Sequence, residues 1–213
     1  MKRQMPRTKR YNKTNIIVNH IRKNLNLYFF SLVIFIIGIY IGVILVNNLS
    51  DKQTENIHSF ISNSIFKLKN NADIPKFEIL KKSISKNVII VLIIWLLGLT
   101  FLGKYLLYIL ILVLGINFGY TLSCIMNSLQ FMQGLLLLFT STLLQNIIFI
   151  PSIIFLNIQG IKIHNELSIH HNIKQATIKF TAFCIIVTIV LILASIIETY
   201  ASCNLLISIK KYL

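Results

Sequence analysis

One apolar segment, residues 134–158, constrains the fold of this chain more than any other. It contains the aliphatic run of residues 135–138, yet Gln145 and Asn146 stand side by side within it, ahead of Pro151. As a helix it would be about 37 Å long, enough to cross a hydrocarbon core of about 30 Å. Amides near the middle of such a span need protein partners, because lipid offers no hydrogen bonds. We therefore expect a helix that is kinked at the proline and lies at the centre of a bundle.

The composition of the whole chain also indicates a membrane protein. Hydrophobic residues make up 55% of the 213 positions, charged residues only 13%, and the mean hydropathy is +0.75. Soluble domains contain roughly 25% charged residues, so little room remains here for a separate soluble domain. The formal net charge is +15. No basic stretch is interleaved with exposed aromatic residues in a folded module, and we expect no nucleic-acid binding.

Five apolar segments predict an all-α, five-span membrane protein. The predicted spans are residues 25–46, 88–103, 105–126, 134–158 and 178–198. The second and third would form a helix of about 60 Å if they were continuous, so we place a tight turn at Gly103 and Lys104. The segments between and beyond the spans are a basic amino terminus (1–24), a long loop (47–87), a shorter loop (159–177) and a tail (199–213).

Charge predicts the orientation of these spans in a bacterial cell membrane. Residues 1–26 contain eight lysines or arginines and no acid, which places the amino terminus in the cytoplasm. The first apolar segment is too long for the core of a cleaved signal peptide, so it is expected to remain as an anchor. Five spans then place residues 47–87 and the carboxyl-terminal tail outside the cytoplasm.

The long outer loop carries two apolar stripes at helical spacing. Ser50 and Gln53 have the spacing of a capping box, which predicts a helix start. A second short amphipathic helix is predicted after Pro75. The stripes either cover the membrane surface or the bundle, or they form a docking face for a partner. The candidate docking residues, all in the first stripe, are Phe60, Ile61, Ile65 and Leu68.

Two GxxxG motifs occur in the spans. Gly38 and Gly42 share one helix face, as do Gly115 and Gly119, so each pair lets a neighbouring helix approach closely. Packing within the bundle is the favoured interpretation. A homodimer seam, or contact with the transmembrane helix of a partner, is the alternative.

The chain shows no pattern typical of catalysis or metal binding. The histidines lie outside the predicted spans, and the nearest resemblance to a metal cluster is loose: His164, Glu166, His170 and His171. The three cysteines are too far apart to form a CxxC pair: Cys124, Cys184 and Cys203. We expect no enzyme activity, no cofactor and no metal.

Four local patterns recur in an informative order. They are Gly38-x-x-x-Gly42 leading into Val46-Asn47-Asn48-Leu49-Ser50, Gly115-Ile116-x-x-Gly119-Tyr120-Thr121, Gln145-Asn146 ahead of Ile150-Pro151, and Glu198-x-Tyr200. Together with five spans and a long first outer loop, they resemble the stage II sporulation protein M family of endospore-forming bacteria over nearly the whole chain. The chain departs from that family's pattern at Ser123, Leu144 and Cys203, where the family has glycine, proline and proline.

The resemblance implies a non-enzymatic membrane scaffold of the sporulation engulfment complex. Members of this family hold two cell-wall hydrolases at the septal membrane, stage II sporulation protein P (an amidase) and stage II sporulation protein D (a lytic transglycosylase). These enzymes thin the septal peptidoglycan, and the mother-cell membrane then moves around the forespore. The resemblance therefore implies these two partners and a location at the sporulation septum.

The residues alone leave other functions open. A transporter or permease subunit would line a polar path with Gln145, Asn146 and Glu198, although five spans without a visible inverted repeat do not favour it. Glu198 lies where the last span meets the outer interface, either in a structural hydrogen bond near Tyr200 or in a binding role. A protein that organises membrane lipid through its basic amino terminus is a third interpretation, and a homo-oligomer is compatible with all three.

Overall fold

The computed structural model describes residues 22, 24–69, 76–100, 102–169 and 173–209. Its helices are α1 Leu25–Asn47, α2 Asp51–Lys69, α3 Lys76–Leu99, α4 Gly103–Ser128, α5 Phe131–Leu137, α6 Leu144–Ile169 and α7 Ile173–Ile209, with a π-helical segment at Leu138–Leu143. The described residues contain no strand, which confirms the predicted all-α class. Five stretches are long and apolar enough to cross a membrane, also as predicted: Leu25–Asn47, Lys76–Leu99, Gly103–Ser128, Asn146–Ile163 and Lys174–Ser202.

Helices α1 and α4 run parallel and make the most extensive helix–helix contact in the described chain. A Cβ atom added to Gly38 would lie 2.5 Å from the carbonyl oxygen of Leu112, and one added to Gly42 would meet the backbone of α4 equally closely. Gly115 and Gly119 face the backbone of α1 in the same way. The two GxxxG motifs therefore pack against each other within one chain, which confirms the favoured interpretation and closes these faces to a second copy.

Helix α6 lies at the centre of the bundle. Of its membrane-spanning stretch, 44% is buried, against 22–28% in the other four spans. Leu156 and Ile161 are completely buried in a core shared with α3, α4 and α7. The prediction of a central fourth span is confirmed for the described residues. Pro151 lies inside α6, and a kink there stays a prediction.

The chain ahead of α6 is less regular than predicted. Residues 134–158 were expected to form one helix, whereas α5 is joined to α6 by the π-helical segment Leu138–Leu143. Within it, the hydroxyl of Thr140 donates to the carbonyl of Leu136 at 2.9 Å and to that of Leu137 at 3.2 Å. Side-chain hydrogen bonds of this kind compete with the regular backbone pattern and distort helices. The irregularity therefore precedes the proline that was expected to cause it.

Three helices continue further into polar sequence than predicted. The second short helix of the outer loop and the second span are one element, since α3 is continuous from Lys76. The predicted loop at 159–177 is mostly helical, because α6 ends at Ile169 and α7 begins at Ile173. Likewise α7 extends into the predicted tail as far as Ile209. Apolar content predicts where a membrane span ends, but it does not predict where the helix ends. Lysine, glutamate and glutamine have high helix propensity, so a helix can continue into the polar sequence beyond the span.

Of two local signals at helix ends, the capping box is confirmed, and the turn lies slightly earlier than predicted. The N–H of Ser50 donates to Oε1 of Gln53 at 3.2 Å, which is the return bond of a capping box, and α2 begins at the next residue. The turn was predicted at Gly103 and Lys104, but these are the first two residues of α4, and the turn lies between them and the end of α3 at Leu99. A Cβ at this glycine would collide with the carbonyl oxygen of Leu97, so the tight turn requires glycine.

We expect Gly42→Ala to lower the free energy of unfolding by about 1–3 kcal/mol, because the new Cβ meets helix backbone that cannot yield. The matched control is Gly134→Ala, whose Cβ would lie 3.2 Å from the flexible side chain of Met126. This control should lose less than about 0.5 kcal/mol of unfolding free energy, because alanine has a higher helix propensity than glycine. Denaturant unfolding in detergent micelles measures both. Equal losses would contradict the backbone contact between α1 and α4.

Candidate functional site

A groove separates α2 from the end of α4, and we call it the α2–α4 groove. Its volume is about 490 Å³. Its lining residues are Asn56, Ile57, Phe60, Ile61 and Ser64 of α2, Tyr120, Thr121, Cys124 and Ile125 of α4, and Leu137 of α5. The groove is largely apolar because the first amphipathic stripe turns towards α4, as its helical spacing allows.

The stripe on α2 is only partly covered by the bundle. Ile61 is half-buried, whereas Phe60 is 74% exposed and Phe66 is 64% exposed. Ile65 and Leu68 belong to α2, but their side chains lie outside the part of the chain that the structure describes. Of the four candidate docking residues, the structure therefore brings Phe60 and Ile61 together at the groove.

The polar positions singled out in the spans have separate surroundings. Asn146 is half-buried and lines a cavity of about 30 Å³ with apolar residues of α1, α4 and α6. Pro151 lines a cleft between α1 and α6. Glu198 is half-buried on α7, and its carboxylate interacts electrostatically with Lys86 of α3. The side chain of Gln145 lies outside the described part of the chain.

A buried hydrogen-bond network between α3 and α7 was not predicted. Nδ2 of Asn87 donates to the hydroxyl of Ser195 at 2.8 Å, and the hydroxyl of Ser83 donates to the same oxygen at 3.2 Å. Ser195 in turn donates to the carbonyl of Leu191 at 2.9 Å, and the Thr199 hydroxyl donates to the Ser195 carbonyl at 2.8 Å. These contacts satisfy polar groups that lipid cannot, except for Oδ1 of Asn87, which is buried and has no hydrogen-bond partner among the described residues. The four-residue spacing of polar residues on both helices was the available signal.

Asn157 of α6 is a second polar residue that the sequence analysis missed. Its side chain is completely buried, and neither Nδ2 nor Oδ1 has a hydrogen-bond partner among the described residues. Leaving such an amide unpaired in the core is costly. The central helix thus places a buried amide about three turns beyond the Gln145–Asn146 pair to which the sequence drew attention.

The described residues contain no group of three or more His, Cys, Asp or Glu side chains that could hold a metal ion. The side chains of the loosely clustered residues His164, Glu166, His170 and His171 lie outside the described part, as does that of Cys203. Cys124 and Cys184 are buried free thiols. The described residues do form the α2–α4 groove and the α3–α7 network.

Comparison with known protein families assigns the chain to one of them. The family model of stage II sporulation protein M matches residues 31–203, which begin in α1 and end in α7. The chain belongs to the stage II sporulation protein M family. No curated protein and no solved structure matches this chain in the comparisons. The matched region includes both the α2–α4 groove and the α3–α7 network.

Membership in the stage II sporulation protein M family, with five helices able to span a membrane, makes this a sporulation-related multi-pass membrane protein. The family is not a known enzyme family.

Ser195→Ala should destabilise the folded bundle by about 1 kcal/mol, because it removes the acceptor shared by Ser83 and Asn87. The control Thr188→Ala removes a hydroxyl that donates to the Cys184 carbonyl of its own helix, and it should cost less. Unfolding in detergent gives each value. The double variant Asn87→Leu/Ser195→Ala should recover much of the loss, since no amide is left unpaired. If the loss of stability in the double variant equals the sum of the losses in Asn87→Leu and Ser195→Ala alone, an inter-helix network is contradicted.

Proposed function

We propose that this protein is a non-enzymatic membrane scaffold of the engulfment complex, which holds peptidoglycan hydrolases at the septal membrane for septal wall thinning. Its proposed partners are the amidase, stage II sporulation protein P, and the lytic transglycosylase, stage II sporulation protein D. Family membership and a membrane bundle with an exposed aromatic face support the proposal.

The proposed orientation places α2 on the side of the membrane that faces the wall. The basic amino terminus favours the cytoplasm, and α1 then emerges on the outer side. Because α4 runs parallel to α1, its carboxyl-terminal end lies at the same end of the bundle, and the α2–α4 groove is built there. A partner acting on septal peptidoglycan would meet the groove from that side.

The exposed ring of Phe60 is the observation that carries the proposal. The ring is 74% exposed at the edge of an apolar groove, while Ile61 beside it is half-buried. Protein interfaces concentrate binding energy in aromatic side chains that become fully desolvated next to apolar pockets. An apolar or aromatic segment of a hydrolase seated in the α2–α4 groove would cover this ring.

Tethering explains what such a scaffold contributes without chemistry of its own. A hydrolase held at the membrane surface meets nearby wall at a high effective concentration, and its action elsewhere is reduced. Wall cleavage then follows the membrane that advances around the forespore. In this account α2 provides the contact, and the five spans retain the complex in the membrane.

Phe60→Asp should abolish hydrolase recruitment, because a carboxylate cannot be desolvated against an apolar partner without a large cost. The matched control is Phe77→Asp at the start of α3, where the ring is 77% exposed but does not line the groove. Fluorescently tagged hydrolases are imaged at the septum of sporulating cells, and the amount of each variant is measured in the membrane fraction.

Wild-type hydrolase localisation with a Phe60→Asp protein at normal abundance would contradict the role of the groove. Equal loss in both variants would instead reflect a general effect of surface charge. If localisation is intact in both, flux assays in proteoliposomes with Asn146→Leu would test the transporter alternative.

A further inference from the structure

A cleft lies between the start of α1 and the segment of α6 around its proline, and it is called the α1–α6 cleft here. Its volume is about 460 Å³. Its lining residues are Leu25, Tyr28, Phe29 and Leu32 of α1 and Ile150, Pro151 and Ile154 of α6. Both walls belong to stretches able to span a membrane, and Phe29 is 68% exposed. The cleft therefore opens onto the hydrocarbon of the bilayer.

The shape and polarity of the α1–α6 cleft suit an acyl chain. Tyr28 is the one lining residue with a polar side-chain atom. From Leu25 to Leu32 the cleft follows α1 for about two turns, which is about 10 Å. An apolar space of this kind excludes water, and a hydrocarbon chain lying along α1 would fill it.

The end of the cleft at Leu25 is positively charged. Arg22 is exposed and precedes Leu25 by less than one helical turn, and the first turn of α1 contains no acidic residue. A second cation reaches the same level from α4. Gly38 of α1 packs against Gly115 of the parallel α4, so Lys104, at the start of α4, lies level with the first turn of α1.

The sequence ahead of α1 adds to this charge. Residues 1–26 contain eight lysines or arginines and no acid, and of these cations only Arg22 belongs to the described part of the chain. Clusters of four to eight such residues immediately on the cytoplasmic side of a membrane span are typical of binding to anionic lipid. The predicted orientation places this segment on that side.

We propose that the α1–α6 cleft holds an acyl chain of an anionic phospholipid, whose phosphate is bound by the basic residues at the start of α1. Charge favours this occupant over a second copy of the chain, since a parallel copy would bring a second cationic segment to the same end and repel the first. An anionic headgroup instead complements the cations. The site is separate from the α2–α4 groove, and lipid binding does not depend on hydrolase recruitment.

The test uses the purified full-length protein in a non-ionic detergent. Phosphatidylglycerol, phosphatidylcholine with the same acyl chains, and inorganic phosphate are each titrated. Binding is followed by native mass spectrometry and by the midpoint of thermal unfolding, which a ligand of the folded state raises. Arg22→Gln should weaken phosphatidylglycerol binding about fivefold, and Arg22→Gln/Lys23→Gln about thirtyfold. The charge control is Lys174→Gln, at an exposed position on α7 away from the cleft, and it should leave binding unchanged.

A second pair of variants tests the cleft itself. Leu32→Trp fills the cleft with an indole ring and should weaken phosphatidylglycerol binding about tenfold, because the acyl chain loses apolar contact. The matched control is Ile36→Trp, one turn further along α1, where the side chain is 53% exposed, against 48% for Leu32, but does not line the cleft. It should leave binding unchanged. An unchanged far-ultraviolet circular dichroism spectrum and elution volume establish that each variant is folded.

Several results would overturn the proposal. Equal losses of binding in Arg22→Gln and Lys174→Gln would show attraction to net charge alone, and equal binding of the two lipids would exclude recognition of the headgroup. Stabilisation by inorganic phosphate as large as that by phosphatidylglycerol would make free phosphate the ligand. Unchanged phosphatidylglycerol binding in Leu32→Trp would exclude the cleft. A dimer in the native mass spectrum that Leu32→Trp dissociates would make a second copy the occupant.

Discussion

The crossing of α1 and α4 depends on four glycines that keep side chains out of the contact. Lipid tails are as apolar as leucine, so helices in a membrane gain little from hydrophobic burial and associate through close packing. The glycines allow backbone to touch backbone, and the parallel pair is thereby fixed. The carboxyl-terminal end of α4 then supports α2, while its beginning contributes Leu107 to the core around α6. The α2–α4 groove at that end therefore depends on the glycine contact between α1 and α4.

The two ends of the bundle differ in their chemistry. At one end, the α2–α4 groove is apolar and bordered by an exposed aromatic ring, which suits a protein partner. At the other, Lys162 and Lys179 line one cavity together with Phe180 and Phe183. Between them, the α3–α7 network joins the two helices through hydrogen bonds from Asn87 and Ser83 to the buried hydroxyl of Ser195.

The sequence predicted features that depend on local composition and spacing, and missed those that depend on neighbouring helices. The spans, the glycine faces and the turn at Gly103 follow from apolar length and from residues that tolerate close approach. Helix ends were misplaced because polar residues continue a helix beyond the lipid. Asn87 and Asn157 were missed because their burial depends on how each helix is rotated in the bundle. Lys162 and Lys179 are far apart in sequence, and only the packing of α6 on α7 brings them to one cavity.

The central claim, a scaffold that captures a hydrolase through the outer face of α2, is tested most directly by site-specific crosslinking. A photoreactive amino acid is introduced in place of Phe60 in one strain and in place of Phe77 in another, and sporulating cells are irradiated. Crosslinked products are identified by mass spectrometry. The account predicts an amidase or a lytic transglycosylase of the wall attached at position 60 and absent at position 77. Lipid alone at position 60, or the same proteins at both positions, would contradict it.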